Sequence, residues 1–314
     1  MRSLGNEDGI ALLLVLAITA LLAALLSQLS FSTLVDLRLT ETYRDTTRAH
    51  YLAKGGIQVG QRILANDSNS YDGDDELWAQ GVANYPVGDF GAVSLTITAL
   101  DGKININNLI TKAGNIDVVV MDRCLRLFDL LEMSDGPSRV DAIIDWIDTD
   151  DDPQPAGAES GYYALQTPAS YCKNGPFDTF DELTMVAGFS AKEVNRLRPH
   201  LSVHGDNKLH INSATAEVIA ALAEEVSLST AQMIVEQRQS SPYQAVDELK
   251  QLPNMESFYW AINSFLTVQC NTYRITTDAR VNDGRRQASA TVNKKSNNLL
   301  YFQLFNQGVV VVQG

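Results

Sequence analysis

No charged residue occurs between Gly9 and Val35. About 20 apolar residues at a rise of 1.5 Å cross a bilayer core of about 30 Å. The run from Ile10 to Leu26, almost wholly Leu, Ala, Val and Ile, therefore reads as a membrane helix. Cysteine is scarce as well. Cys124, Cys172 and Cys270 are the only three, without a CxxC spacing, which excludes a dense disulfide framework and a zinc-ribbon pattern. In an oxidising compartment one pair can bridge, and the sequence does not choose which. The four histidines, His50, His200, His204 and His210, are scattered over different segments. With no Gly-x-Ser-x-Gly, His-Glu-x-x-His or phosphate loop, nothing marks an enzyme. Basic residues are outnumbered, 24 against 38 acids, for a net charge of −14. A phosphate-binding surface needs clustered Lys and Arg, so nucleic acid is not an expected partner.

A length of 314 residues predicts about two domains. After the apolar run, Leu34, Leu37, Tyr43, Ala49, Leu52, Ile57 and Leu64 recur at helical spacing among charged residues. The economical prediction is one helix from about Ile10 to Leu64, in which Gly55-Gly56 marks a bend. Residues 65–75, rich in Asn, Ser, Asp and Gly, read as a loop of turn formers and solvated acids. Beta character begins near Asp89: Val93, Leu95, Ile97 and Ala99 alternate with Ser94, Thr96 and Thr98. The same idiom returns in three strands at 273–281, 287–292 and 299–305, with an Asn282-Asp283-Gly284 turn between the first two. A β-rich unit is thus split by a long helical segment.

That segment contains a repeat. Gly102–Leu109 resembles Asn207–Ala214, Pro176–Leu183 resembles Pro242–Leu249, and Ser138–Ile147 corresponds to Ser229–Arg238. Both copies close alike, on Leu201-Ser202-Val203 and Leu266-Thr267-Val268. The first copy carries an insert, about Asp148 to Gly175. Asn212 or Ser213 offers an N-cap with Glu217 early in the next helix, and Pro176 and Pro242 fix turns. The unit resembles a helix-hairpin-helix fold, but Glu224 and Glu225 occupy the hairpin whose amides would meet phosphate.

The insert concentrates acids: Asp145, Asp148, Asp150, Asp151 and Asp152 precede two prolines and Glu159. Crowded carboxylates repel, and a hard divalent cation with six to eight oxygen ligands supplies the counter-charge. Calcium suits flexible all-oxygen spacing better than magnesium, and the lack of nearby His opposes zinc. The spacing departs from an EF-hand. Composition alone leaves a second reading open, a solvated acidic loop that binds nothing. Trp146 and the Tyr162-Tyr163 pair read as local packing, not a ligand cage.

The N-terminus resembles the class III leader of type IV pilins and pseudopilins, in which a prepilin peptidase cuts after Gly and methylates the new N-terminus. Here the cut falls between Gly9 and Ile10 and leaves the apolar helix intact. The fifth mature position is Leu14 where pilin-like subunits usually carry Glu, a departure similar to the K-type minor pseudopilin. The residues alone also permit an uncleaved anchor. The run from Asp145 to Pro153, followed by Gly157-Ala158-Glu159, Tyr162-Tyr163 and Asn174-Gly175-Pro176-Phe177, resembles the signature of the general secretion pathway protein K family of type II secretion. The resemblance covers essentially the whole chain. It implies an α+β fold: a pilin-like long N-terminal helix and an antiparallel β-sheet with a large inserted α-helical domain holding the two helix-hairpin-helix-like repeats. The implied units are a leader at 1–9, the helix at 10–66, β segments at 67–103 and 270–314, and the insertion at 104–269, with repeats at about 104–203 and 207–268. Also implied are bound Ca2+ with Asp148, Asp150, Asp151, Asp152 and Glu159 as ligand candidates. The implied role is a subunit at the pseudopilus tip with the minor pseudopilins I and J, helping assembly start for export across the outer membrane. Its partners would be the prepilin peptidase, the inner-membrane assembly platform and secreted cargo. The implied location is a single-pass inner-membrane anchor with a periplasmic domain. A minor pilin of a type IV pilus and a membrane-anchored DNA-uptake protein are the alternatives.

Overall fold

The computed structural model describes residues 7–89, 91–253 and 255–305. Helix α1 (Glu7–Asn66) runs unbroken for 60 residues, and its two halves meet different surroundings. From Ile10 to Leu39 its apolar side chains are exposed, whereas Ala49, Ala53, Ile57 and Leu64 are buried against the sheet. Gly56 permits that contact: a Cβ there would lie 2.7 Å from Thr277 Cγ2, and one at Gly60 would lie 2.7 Å from Ile275 Cγ2. Small residues at the interface let helix and sheet backbones close to packing distance.

A short helix α2 (Leu77–Gln80) leads into a five-stranded antiparallel sheet. Its members are β1 (Val82–Val87), β2 (Gly91–Ala99) and, after a long excursion, β7 (Thr272–Val281), β8 (Gly284–Asn293) and β9 (Asn298–Phe305), in the order β1-β2-β7-β8-β9. Strand β1 was not expected from the sequence. It carries Pro86 and a left-handed Asn84, which suit an edge strand, where a missing N–H costs no ladder bond. The β7–β8 hairpin closes at Val281 and Gly284, with Asn282 at φ 48° as a tight primed turn requires.

The register of β2 with β7 runs from Gly91–Val281 to Ala99–Tyr273, so residues 100–271 leave and rejoin the sheet at one place. They form two copies of one frame. The first comprises β3 (Ile104–Asn105), α3 (Val118–Leu130), α4 (Gly136–Ile147), the insert with α5 (Ser160–Ala164), α6 (Ala191–Leu197) and β4 (Leu201–Ser202). The second comprises β5 (Leu209–His210), α7 (Ala216–Ala220), α8 (Leu228–Ser240), α9 (Glu256–Ile262) and β6 (Leu266–Thr267). Each copy is closed by a two-residue parallel bridge, Ile104 with Leu201 and Leu209 with Leu266. An asparagine then clamps the Pro-aromatic turn in each. Asn107 donates to Phe177 O at 2.9 Å and accepts from Phe177 N at 2.8 Å; Asn212 repeats both bonds with Tyr243, each at 2.9 Å. Next in each, Glu182 and Glu248 accept from the amides at 178–179 and 244–245 and cap the following 3-10 turn.

Two buried aspartates join helical domain to sheet. Asp101 accepts from the amides of Asp206, Asn271 and Thr272. Asp72, expected to be solvated, is 1% exposed and accepts from Cys270 N, Tyr273 Oη and Lys294 Nζ. Burial, the largest influence, pushes its carboxyl up, but those bonds together hold it below the ordinary value. The Asp72 carbonyl also receives Asn212 Nδ2 and pairs with His210 Nε2. Burial pushes His210 down, leaving the neutral ring that accepts at Nδ1 from Ser213 and donates at Nε2. Cys124, Cys172 and Cys270 are all free and buried, so the single bridge allowed by the sequence is not formed.

Candidate metal centre

The acidic insert begins where α4 ends. Val140, Ile143, Ile144, Trp146 and Ile147 bury α4 on several sides, and Asp145 lies in the middle of that buried set with no exposed surface. Asp148 caps the helix, donating its amide to Ile144 O at 2.9 Å. Asp145 and Asp148 are three apart and so share a helix face. Across from them Glu159 is the residue before α5, likewise buried. One carboxylate oxygen of each lies within 4.8 Å of the others.

This grouping is unfavourable as it stands. Asp145 Oδ2, Asp148 Oδ1 and both Glu159 carboxylate oxygens are buried without a hydrogen-bond partner, while Asp145 Oδ1 accepts from Gln154 N at 3.0 Å. Burial, then the charges of Asp145 and Asp148, pushes Glu159 up to about 7. Burial, then Asp150 and Asp145, pushes Asp148 up to about 6, and burial also raises Asp145. The C-terminal end of α4 adds negative potential to the same point. Buried carboxylates left unpaired cost several kcal/mol, on the order of the penalty for any unsatisfied charge. A hard cation meets every one of these demands at once.

The surrounding residues hold the trio in place. Trp146 stacks on Phe177 at 6.1 Å and meets the edge of Tyr163 at 5.5 Å, which is packing and not a ligand cage. The Tyr163 hydroxyl accepts from Ala187 N at 3.0 Å, and the Cys172 thiol donates to Asp145 O. Gly157 presses directly on the trio: a Cβ there would sit 1.9 Å from Asp145 Oδ2. The Gly in the Gly-Ala-Glu run therefore has a steric reason.

Of the ligand candidates named from sequence, Asp148 and Glu159 are brought together, and Asp145 joins them. Asp150, Asp151 and Asp152 lie on the exposed side, where Asp150 Oδ1 accepts from Asp152 N and Asp151 Oδ1 from Ser160 N. They shape the loop. The signal for Asp145 was present in the sequence, an acid centred in an otherwise apolar helical stretch. A second acidic group, Asp67, Asp72 and Glu76, already has its cation: Lys294 Nζ stands 2.8 Å from Asp67 and 2.7 Å from Asp72. At the other end of the chain, α1 runs through Gly9 and Ile10, and Ile10 and Leu14 are both exposed.

Family models described as type II secretion system (T2SS), protein K match residues 102–206 and 209–269, which together make up more than half of the chain. The chain is 27% identical over 306 residues to "Type II secretion system protein K" of Klebsiella pneumoniae, spanning 92% of this chain and 93% of the relative. It is also 27% identical over 330 residues to the protein of that name from Aeromonas hydrophila, with 98% and 99% covered. Among solved structures it resembles a chain of the GspK-GspI-GspJ complex from the enterotoxigenic Escherichia coli Type 2 Secretion System. The TM-score is 0.73 at 17% identity, covering 85% of this chain and 99% of that one.

Proposed function

Because the chain belongs to the type II secretion system protein K family, we propose that it is the minor pseudopilin that caps the pseudopilus, seated at the tip with the I and J minor pseudopilins and helping assembly begin. The observation that carries this reading is the insertion point. Residues 100–271 project from between two adjacent strands of a sheet backed by α1. A body of that size beside the sheet obstructs the stacking of further copies above it, whereas the lower half of α1 remains free to enter a helical bundle.

The exposed apolar half of α1 serves two stages. Its mean hydropathy of 2.9 over the most apolar window suits storage in the inner membrane as a single-pass anchor, with the remainder in the periplasm. The same surface then packs among partner helices when the subunit is drawn from the bilayer by the assembly platform. Prepilin peptidase cleavage between Gly9 and Ile10 prepares that helix. Leu14 supplies no charge for a neighbour's N-terminus, which fits a subunit with nothing above it. The chain acts as an assembly subunit, not an enzyme.

Calcium is the cation this reading places between Asp145, Asp148 and Glu159. Bound there it would neutralise the carboxylates and tie the end of α4 to the start of α5. The exposed Glu224 and Glu225 in the hairpin after α7 and the net charge of −14 speak against a DNA-binding role for the repeats.

Deleting this chain from a cell whose secretion system is otherwise intact should stop export of the system's cargo, and continued export would refute the reading. Mass spectrometry of the membrane-extracted protein should find Ile10 as the first residue only when the peptidase is present.

A further inference from the structure

Between the two repeats lies a cavity of about 210 Å³. Its walls come from both copies: Ile104 and Val120 from the first, Leu209, Leu222 and Phe265 from the second. Charged side chains line it too: Asp117, Asp206, Lys103, whose Nζ donates to Arg198 O at 2.7 Å, and Arg123 on α3, which is 7% exposed. Its guanidinium lies over the Phe265 ring at 4.1 Å, yet Nε and Nη2 are buried without an acceptor.

The acids nearby are partly engaged, and Asp117 acts on Arg123 through its charge without a hydrogen bond to it. Asp117 caps α3, its Oδ1 accepting from Val119 N and Val120 N. Asp206 Oδ2 accepts from Asn271 Nδ2 at 2.5 Å. Arg126, one turn further along α3, spends its guanidinium on Ala221 O and Leu222 O and adds like charge. A buried arginine without a partner is costly, and native interiors pair such groups. Arg123 Nη1, which is not among its buried unpaired nitrogens, can offer a carboxylate a charge-assisted hydrogen bond. Two rim acids would repel a doubly charged phosphate but tolerate a monoanion.

We propose that this cavity binds a carboxylate carried on an apolar body, with Arg123 holding the carboxylate and Leu209, Leu222 and Phe265 receiving the apolar part. Its source is a free small carboxylic acid or the terminal carboxylate of a polypeptide. The site lies outside the acidic insert and needs no cation.

The test is calorimetric titration of the full chain in detergent with N-acetyl-leucine, with a short peptide ending in Leu, and with the C-terminal amide of each. Both acids, or one, should bind at one site while neither amide does. The tighter of the two identifies the source. Arg123→Met should weaken binding at least tenfold. Because that variant can fail to fold, Val119→Trp, at a half-exposed wall position, should block the cavity with Arg123 intact and abolish binding. No binding by either acid, equal binding of acid and amide, or unchanged affinity in a folded Arg123→Met or Val119→Trp protein would overturn the proposal.

Discussion

The two helical repeats are one frame used twice, and they differ in what fills the gap before the Pro-aromatic turn. In the second copy α8 ends at Ser240 and Pro242 follows almost at once. In the first, residues 148–175 intervene, yet Asn107 still clamps Phe177 as Asn212 clamps Tyr243. Lengthening a loop costs little entropy, because the closure cost grows only with the logarithm of length. The insert's burden is instead electrostatic, three buried carboxylates with orphaned oxygens. A shared frame tolerates added chain, and the added chain brings buried carboxylate oxygens without hydrogen-bond partners.

The largest expected effect separates the copies outright. Chelating calcium from the full chain in detergent should lower its unfolding free energy by about 4 kcal/mol relative to saturation at a thousand times Kd. In hydrogen exchange the loss should concentrate in the first repeat. Without the ion, Glu159 and Asp148 keep their protons up to about 7 and about 6, above their unfolded values. The native state then holds the extra protons, and the stability of the ion-free protein falls as pH rises through that range. Calcium displaces those protons, so the gap between melting curves with and without ion should widen from pH 5 to pH 8. A gap that is absent, or that narrows, breaks the comparison.

The clamps come next. Asn212→Ala should cost about 3 kcal/mol and Asn107→Ala about 2 kcal/mol in denaturant melts, since each leaves backbone groups unpaired. Each makes one further bond, Asn107 to Val203 O and Asn212 to Asp72 O, and Asn212 is the larger because it is buried where Asn107 is half-buried. Gly157→Ala should weaken calcium binding about tenfold, some 1.4 kcal/mol, by pushing Asp145 aside, with no counterpart in the second repeat. Glu182→Ala and Glu248→Ala should each cost about 1 kcal/mol as lost caps, the first somewhat more because Glu182 also pairs with Lys173. The smallest effect sharpens the ligand set: Asp150→Asn, Asp151→Asn and Asp152→Asn should each change stability by less than about 0.5 kcal/mol, as exposed substitutions do.

Much of the fold could be read from the sequence because its signals are periodic. The apolar run and the helical spacing beyond it marked α1, alternation marked β2, and β-rich runs around the Asn-Asp-Gly turn marked β7 to β9. The recurring Pro-aromatic-x-x-x-Asp-Glu-Leu marker exposed the repeat, though not its cause, the asparagine clamp, which joins residues about 70 positions apart in the first copy. Strand β1 escaped because its residues are mostly exposed and contain Pro86. Asp72 sits in a run of loop formers and looks identical to its solvated neighbours, and its burial depends on Cys270, Tyr273 and Lys294 arriving from the far end of the chain. The close approach of Gly56 to Thr277 and Val93 was not legible, because those side chains come from sheet strands elsewhere in the chain. In the acidic cluster, two of the three converging residues, Asp148 and Glu159, are among the ligand candidates named from the sequence. Separating buried from exposed carboxylates within it required the third dimension.

The central claim is that this chain sits at one end of the pseudopilus. Its most direct test is to tag the helical domain with a label visible by electron microscopy and image pseudopili assembled with the tagged chain. The account predicts label at one end of each fibre and none along the shaft. Label distributed along the shaft, or fibres of normal number and form that carry none, would contradict it.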